Sequence, residues 1–467
     1  CRRADDAQDT VHNRPDDQDL DGEEQQGDRN ADREAEKRDT DAEQRDANNR
    51  EKTDREDCAQ HSNELRRRDG EPAACDYAPP GLDVSEVTAS AADVLVLGRG
   101  AVGLASAFAL SRLGARVCLI GEPRPGEASI AAAGMLAPSV EFAHGMVPAA
   151  VHAFAFAARD RYPEYLSDLG ERSGRDVPLN RLGILRVALD ETAADVMHPT
   201  GNGKQTASWL DGSALREMEP SLLHGFGAVL FPQDGAVDTL ALLAALQAAL
   251  THATNVVQVA DSVHEISFTC GEVTCRTARG ERFVACEMVL AGGAWSPQLK
   301  GLPRRLPVEP VRGQTLEFQG SPLRHVVYGH SASGRAGYLV PRAVADRTIA
   351  GSTMERVGFD ASTTESARSA LRAMAVSLCP ALSSAALAQS GAGLRPVTPD
   401  FLPIVGRDPE RPSLIYACGH SRNGILLAPL TADCVAAIAT ESDISFDITP
   451  FRVTRFDAAA PSPNPLP

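Results

Sequence analysis

Arg395 lies in GAGLRPVTPD (391–400), between a glycine pair and two prolines, a stretch too punctuated for a helix or a central strand. A guanidinium is costly to bury alone, so such a residue faces water, pairs with a protein carboxylate, or grips an anionic ligand with its two-pronged donor. A second group is better defined by its setting. Gly98, Gly100 and Gly103 fall in VLVLGRGAVGLASAFAL, between an apolar run and a run with helical spacing. The first glycine permits the turn, the second lets a pyrophosphate approach the backbone, and the third admits close helix packing. The free amides of the helix start then favour phosphate charge, so the stretch reads as a dinucleotide site rather than a structural turn.

In such a site an acid that takes the ribose hydroxyls closes the next strand, about twenty residues on. Glu122 is close to that place, while Gly121 stands in the usual position. Nothing downstream resembles an arginine cluster for a second phosphate. Three further stretches bear on the cofactor. EASIAAAGMLAP (127–138) is small and flexible where a large ring system could lie on backbone, although composition alone equally allows a close helix contact. VLAGGAWSP (289–297) gives a second strand-to-glycine turn at Gly293, and GHSRNGILLAP (419–429) begins polar and runs into a helix whose amides could face an electron-rich ring edge.

These residues need elements to hold them. The apolar run Val94 to Leu97 predicts a buried strand, Gly98 to Gly103 a turn, Leu104 to Leu113 a helix and Arg116 to Ile120 a second strand. A helix-rich region follows near 145–175, then RLGILRVAL as a strand, TLALLAALQAAL from Thr239 as a helix, NVVQVADSVHEISF as strand and GEVTCRTARGERFVACEMVLAGGAW as a hairpin. GQTLEF, GYLVP and RTIAGST predict short strands before a helix near 365–378, and LIYACGHSRNGILLAPLTADCVAAIAT predicts a strand, a turn and a long helix. The order is that of an α/β chain: a Rossmann-like domain interrupted by an α+β domain with a mixed or antiparallel sheet. The expected boundaries are 91–175, 241–305 and 381–445 for the dinucleotide domain, 176–240 and 306–380 for the second domain, and 446–467 for a tail.

Composition sets the limits. Residues 1–90 hold 27 acidic against 14 basic residues, so they carry -13 of the chain's net -17. From Cys1 to Gly70 the only large apolar residues are Val11, Leu20 and Leu65, too few to offset the entropy of ordering, and a disordered acidic extension is expected. It carries neither an apolar targeting core nor the basic character of a transit peptide. The body, near -4, shows no broad basic surface for nucleic acid, and no apolar run reaches membrane-spanning length. Cys118, Cys286 and Cys434 sit in apolar runs where a thiol packs as a small hydrophobe, and Cys270 with Cys275 lacks zinc-site spacing. A reducing cytoplasm and no metal are expected.

From about Asp93 to Ala437 the chain resembles the D-amino acid oxidase family of FAD enzymes, and within it the branch that oxidises glycine for thiamine biosynthesis. The resemblance rests on GRGAVGLASA, ASIAAAGMLAP, AGGAWS, PVRGQ, GYLVP, GLRPVTPDFLPIVG and GHSRNGILLAP, of which the last two are specific. It implies that Arg395 binds the substrate carboxylate with help from Tyr338, that Met354 lines the substrate pocket, and that Arg422 lies beside substrate and flavin. It implies FAD contacts at Ala101 and Val102, at Gly121 and Glu122, at Ala128, Ser129, Ala133, Gly134 and Met135, at Val263, and along His420, Ser421, Arg422, Asn423, Gly424, Ile425 and Leu426. Gly121 departs from relatives, which place an acid there. No cysteine lies within GLRPVTPD, where some relatives attach flavin covalently, so a noncovalent flavin is expected. The implied activity is oxidative deamination of glycine, with sarcosine or small D-amino acids as further substrates, by hydride transfer to flavin and reduction of oxygen to hydrogen peroxide. The product imine feeds thiazole formation, and the implied assembly is a homotetramer. A D-amino acid or sarcosine oxidase or dehydrogenase is the alternative within the family. A flavin-binding interaction protein with an acidic tail is the alternative of another class.

Overall fold

The computed structural model describes residues 92–143, 148–198, 207–222, 225–269, 271–331, 334–342 and 344–457. The acidic extension expected over 1–90 lies outside the described residues, as does the end of the C-terminal tail.

The glycine-rich unit forms β1 (Ala92–Leu97), α1 (Ala101–Arg112) and β2 (Val117–Ile120), with β1 and β2 parallel. α1 begins at Ala101, three residues before the expected start, so Gly103 lies inside its first turn. The reason is packing: a Cβ on Gly103 would sit 2.0 Å from the Gly98 carbonyl oxygen, so the missing side chain lets the helix start this close to the strand. Gly98 itself has φ +113°, a conformation that L side chains rarely adopt.

β1 lies inside an eight-stranded sheet with parallel neighbours on both sides, β2 and the strand Arg282–Leu290. NVVQVADSVHEISF divides into Val256–Val259, parallel to β2 at one edge, and Val263–Thr269, which begins an antiparallel meander at the other. Both faces are covered, as buried parallel strands require. Val94 and Val96 of β1 point into a core shared with α1 and three helices, Ala149–Ser173 (α2), Thr239–His252 (α3) and Gly424–Ala439 (α4), while Leu95 and Leu97 point into the opposite core, with Ile266, Val273 and Leu306. α3 starts where expected because Asp238 caps it, accepting from the Ala241 amide at 3.0 Å.

Pro429 interrupts α4 and offers no amide to the carbonyl of Ile425 four residues back. That carbonyl accepts instead from the Tyr162 hydroxyl of α2 at 2.5 Å. A buried side chain from another helix thus restores the hydrogen bond the proline removes.

The second large sheet is mixed and has eight strands, in the order Leu387–Val397, Glu309–Gln319, Arg347–Gly351, Gly334–Arg342, Val326–Ser331, Ile184–Ala188, Gly227–Phe231 and Ser208–Asp211. Its neighbours are antiparallel except for Val326–Ser331 beside Ile184–Ala188. The Arg395 stretch is therefore a strand, but an edge one, where Pro396 costs no ladder bond on its outer side. Pairing with Glu309–Gln319 carries Leu387–Val397 past the expected boundary at 380 into the mixed sheet, because hydrogen bonding rather than sequence order decides membership. A third, three-stranded sheet joins Met135–Leu136, Gly235–Val237 and Leu179–Asn180. Among the described residues no helix is long and apolar enough to cross a membrane, and no group of His, Cys, Asp and Glu could hold a metal ion.

Candidate active site and cofactor cleft

A cavity of about 370 Å³ is lined by the strand ends of the parallel sheet and by residues of the mixed sheet. Of the residues singled out in the sequence, Arg395, Tyr338, Arg422 and Met354 all line it. So do Gly98, Gly100, Ala101, Val102, Gly121, Glu122, Ala128, Ser129, Ala133, Gly134, Met135, Val263, Gly293 and the run His420 to Ile425. Two do not. Gly103 serves helix packing, and Leu426 is turned into the hydrophobic core, only 3% exposed. Leu426 fails for a geometric reason: once α4 begins at Gly424, successive side chains rotate around the helix and cannot all face one cleft.

Arg395 and Tyr338 come from different strands and converge on one short segment. The Arg395 guanidinium donates to the Thr353 carbonyl at 3.1 Å and to the Ser352 hydroxyl at 2.9 Å. Tyr338 stands opposite Gly351 in the ladder, and its hydroxyl lies 2.4 Å from where a Cβ on Gly351 would be. A Cβ on Gly313, likewise, would fall 1.8 Å from Arg395 Nη1, so the glycine of PVRGQ leaves the floor over which the guanidinium lies. Both polar side chains thus lie over backbone bared by a glycine. Tyr328, fully buried, adds a second ring beside Tyr338 at 5.8 Å between centroids.

Arg422 donates to Glu141 Oε1 at 2.6 Å, with the side chains 13% and 7% exposed. Burial is the largest influence and works against the arginine's charge, but the Glu141 carboxylate together with Tyr328 and Tyr338 outweighs it and holds the guanidinium pKa above its ordinary value. Glu141 rides on the short helix Pro138–Ala143, whose start is clamped by the fully buried Asp234. Asp234 accepts from the Ser139 hydroxyl at 2.8 Å, the Val140 amide at 2.9 Å and Arg159 Nη1 at 2.9 Å. His420 shares a hydrogen bond with the Thr431 hydroxyl at 3.1 Å, and burial pushes its imidazole down to about 4, so it is neutral near pH 7.

Glu141, Tyr328, Ser352 and Arg99 line the cleft without having been singled out in the sequence. Glu141 is a lone acid in the apolar run LAPSVEFA, six residues beyond Met135, and such an acid is a signal in its own right. Tyr328 and Ser352 sit in or beside strands with nothing to separate them from ordinary sheet residues.

The small-residue segment closes one wall. Ser129 accepts from the Ala101 amide at 2.9 Å, tying that segment to the start of α1, and a Cβ on Gly393 would lie 2.7 Å from Ala131 Cβ. A phosphate turn, a wall of small side chains and the N-terminus of α4 at Asn423 and Gly424 border a single cavity, a donor set that fits an extended dinucleotide carrying a flat ring. The two large sheets and the cleft that they line define a dinucleotide-dependent oxidoreductase.

Residues 93–438 match the FAD dependent oxidoreductase family (DAO), and the chain belongs to that family, whose cofactor is FAD. It is 34% identical over 377 residues to the glycine oxidase of Geobacillus kaustophilus, covering 78% of this chain and 97% of that protein. It is 35% identical over 374 residues to the bifunctional protein ThiO/ThiG of a Synechocystis strain, again over 78% of this chain, but spans only 54% of that longer protein. The crystal structure of the G. kaustophilus glycine oxidase superposes with a TM-score of 0.71 at 32% identity, covering 78% of this chain and 98% of that one.

Proposed function

We propose that the protein oxidises glycine, with Arg395 as the anchor for the substrate carboxylate. The observation that carries this reading is the convergence of Arg395 and Tyr338 over glycine-bared backbone in the wall of the FAD cleft. A fork of two donors fixes a carboxylate in one orientation, and with water excluded that positioning contributes several kcal/mol toward the barrier, on the order of 7 at the lower end for well-oriented reactants. Tyr338 and Met354 bound the space left for a side chain, so small amino acids are favoured. Arg422 is paired with Glu141. His420 is a neutral imidazole near pH 7 and carries no positive charge toward the substrate.

FAD, when bound along Gly98 to Val102, Ala128 to Met135 and His420 to Ile425, supplies a two-electron acceptor for the α-carbon hydride. Overall, glycine and oxygen give the imine and hydrogen peroxide: the C–H and N–H bonds supply two protons and two electrons, and oxygen takes both. The imine is the product that thiazole formation in thiamine biosynthesis would consume, as the names of the ThiO relatives suggest.

The flavin is noncovalent in this reading, since no cysteine lies in 391–400 and Cys418, which lines the cleft, is buried with its thiol pushed up to about 12. Acid precipitation that leaves all flavin in the supernatant would agree. The same reading carries a homotetramer, checked by light scattering, and a cytoplasmic setting, supported by the buried thiols of Cys118, Cys275, Cys379 and Cys434.

The deciding experiment is anaerobic mixing of the flavin-loaded protein with glycine. Flavin bleaching, lost in Arg395→Leu, supports the proposal. Bleaching with D-amino acids or sarcosine but not with glycine overturns the substrate assignment. Unaltered glycine kinetics in Arg395→Leu overturns the role of Arg395.

A further inference from the structure

We propose that Arg99 replaces the ribose-binding acid of the FAD site, so that the adenosine end of the cofactor is held by a cationic donor instead of an anionic acceptor, with Gly121 the partner change that makes room for it. The inference concerns the cofactor alone and stands whichever amine is oxidised.

Three observations meet here. First, Gly121 closes β2, where a dinucleotide site ordinarily places its ribose acid, and it lines the cleft. Its own amide is engaged in the sheet, donating to the Val259 carbonyl at 3.0 Å. Second, the space an acid would need at 121 is filled. A Cβ there would lie 2.7 Å from Arg99 Cγ and 3.2 Å from both Arg99 Cδ and the Arg99 backbone nitrogen, so the stem of Arg99 runs across the glycine. Third, the head of Arg99 is met by neutral partners. Its Nη2 donates to the Gln247 side-chain oxygen on α3 and reaches the Gln258 oxygen at 3.4 Å on Val256–Val259, while the Gln247 amide donates to Gln258 in turn. Among the described residues Arg99 forms no ion pair within contact distance, although its charge acts on the cleft-lining Glu127. The acid next in line, Glu122, stands 3.9 Å from Arg124 instead.

The glycine-rich turn therefore contributes a full positive charge where the sequence pattern expects a negative one. An acid accepts hydrogen bonds from ribose hydroxyls; a guanidinium has only donors, so here the hydroxyl oxygens must accept. The same cation also attracts the cofactor's pyrophosphate, and that attraction weakens as salt screens it.

The test is FAD affinity of the apoprotein, measured by fluorescence titration at low and high salt, with the folding of each apo variant checked by circular dichroism. Arg99→Gly should weaken FAD binding about 10-fold and flatten its salt dependence. Gly121→Glu, clashing with Arg99, should weaken it at least 10-fold. The double variant Arg99→Gly/Gly121→Glu should bind FAD more tightly than either single variant, because it rebuilds the acid-bearing arrangement. Unchanged affinity and salt dependence in Arg99→Gly, or a double variant no tighter than the tighter-binding single one, would overturn the proposal. Should a variant not fold, Arg99→Gln keeps the stem and removes the charge, and unaltered salt dependence there is equally fatal.

Discussion

Arg422 and Glu141, 281 positions apart in sequence, meet at 2.6 Å in the wall of the cleft, each nearly closed to solvent. The pair joins the loop before α4 to the helix Pro138–Ala143, so one contact ties two cleft-lining segments together. Removing one partner of a buried pair leaves the other charge uncompensated, which costs about 3 to 5 kcal/mol.

Glu141→Leu is therefore expected to lower stability by about that amount in denaturant unfolding. Glu141→Gln keeps a hydrogen-bond acceptor but frees the arginine's charge, so simple carboxylates such as acetate should inhibit this variant more strongly than the wild type. Equal inhibition constants would show that Arg422 does not reach an anion in the cleft.

A second expectation concerns α4. Tyr162→Phe strands the buried Ile425 carbonyl, at a cost of about 1 to 3 kcal/mol. Pro429→Ala returns an amide at the position that the helix pattern requires. The two changes should be coupled: Tyr162→Phe should cost measurably less in the Pro429→Ala background than in the wild type. Strict additivity in urea unfolding would separate Tyr162 from the proline.

Acid stability is a third. The His420 imidazole sits at about 4 in the folded chain against an ordinary value near 6.5, because burial disfavours its charged form. The unfolded chain thus binds this proton more readily than the folded one. The stabilisation is fully present above pH 6.5 and is lost as pH falls through 4, to a total of about 3 kcal/mol. Replacing His420 with Gln should flatten that part of the pH–stability curve, and an unchanged slope between pH 6.5 and 4 would place the effect elsewhere.

The distribution of what could be read from sequence follows the range of the interactions involved. β1, α1 and β2 are legible because strand and helix periods and the glycine turn are local, and their one error, the start of α1, arises because Gly103 belongs to the helix it lets pack. Arg395 is legible as a site residue because its setting of glycines and prolines is unusual. Its Ser352 and Thr353 partners are not, since the ladders that bring residues 338, 351 and 395 together are set by tertiary pairing. Glu141 escaped for the same reason: its meaning depends on an arginine 281 positions away.

Gly313 offers a test of the carboxylate anchor that leaves every polar group of the site intact. The residue stands opposite Gly393 in the ladder between Glu309–Gln319 and Leu387–Val397, and the Arg395 guanidinium lies over its bare Cα. A methyl group there would fall 1.8 Å from Arg395 Nη1, far inside van der Waals contact, so the guanidinium must swing away from Ser352 and Thr353. Gly313→Ala should then raise KM for glycine at least 10-fold, while FAD affinity is retained because the phosphate turn lies on the other sheet. A side chain that merely loosened the strand would instead lower stability with little change in KM. Steady-state kinetics beside a thermal melt of the same preparation separates the two outcomes, and wild-type KM in a well-folded Gly313→Ala would mean that the position of Arg395 over this backbone is not what binds the substrate.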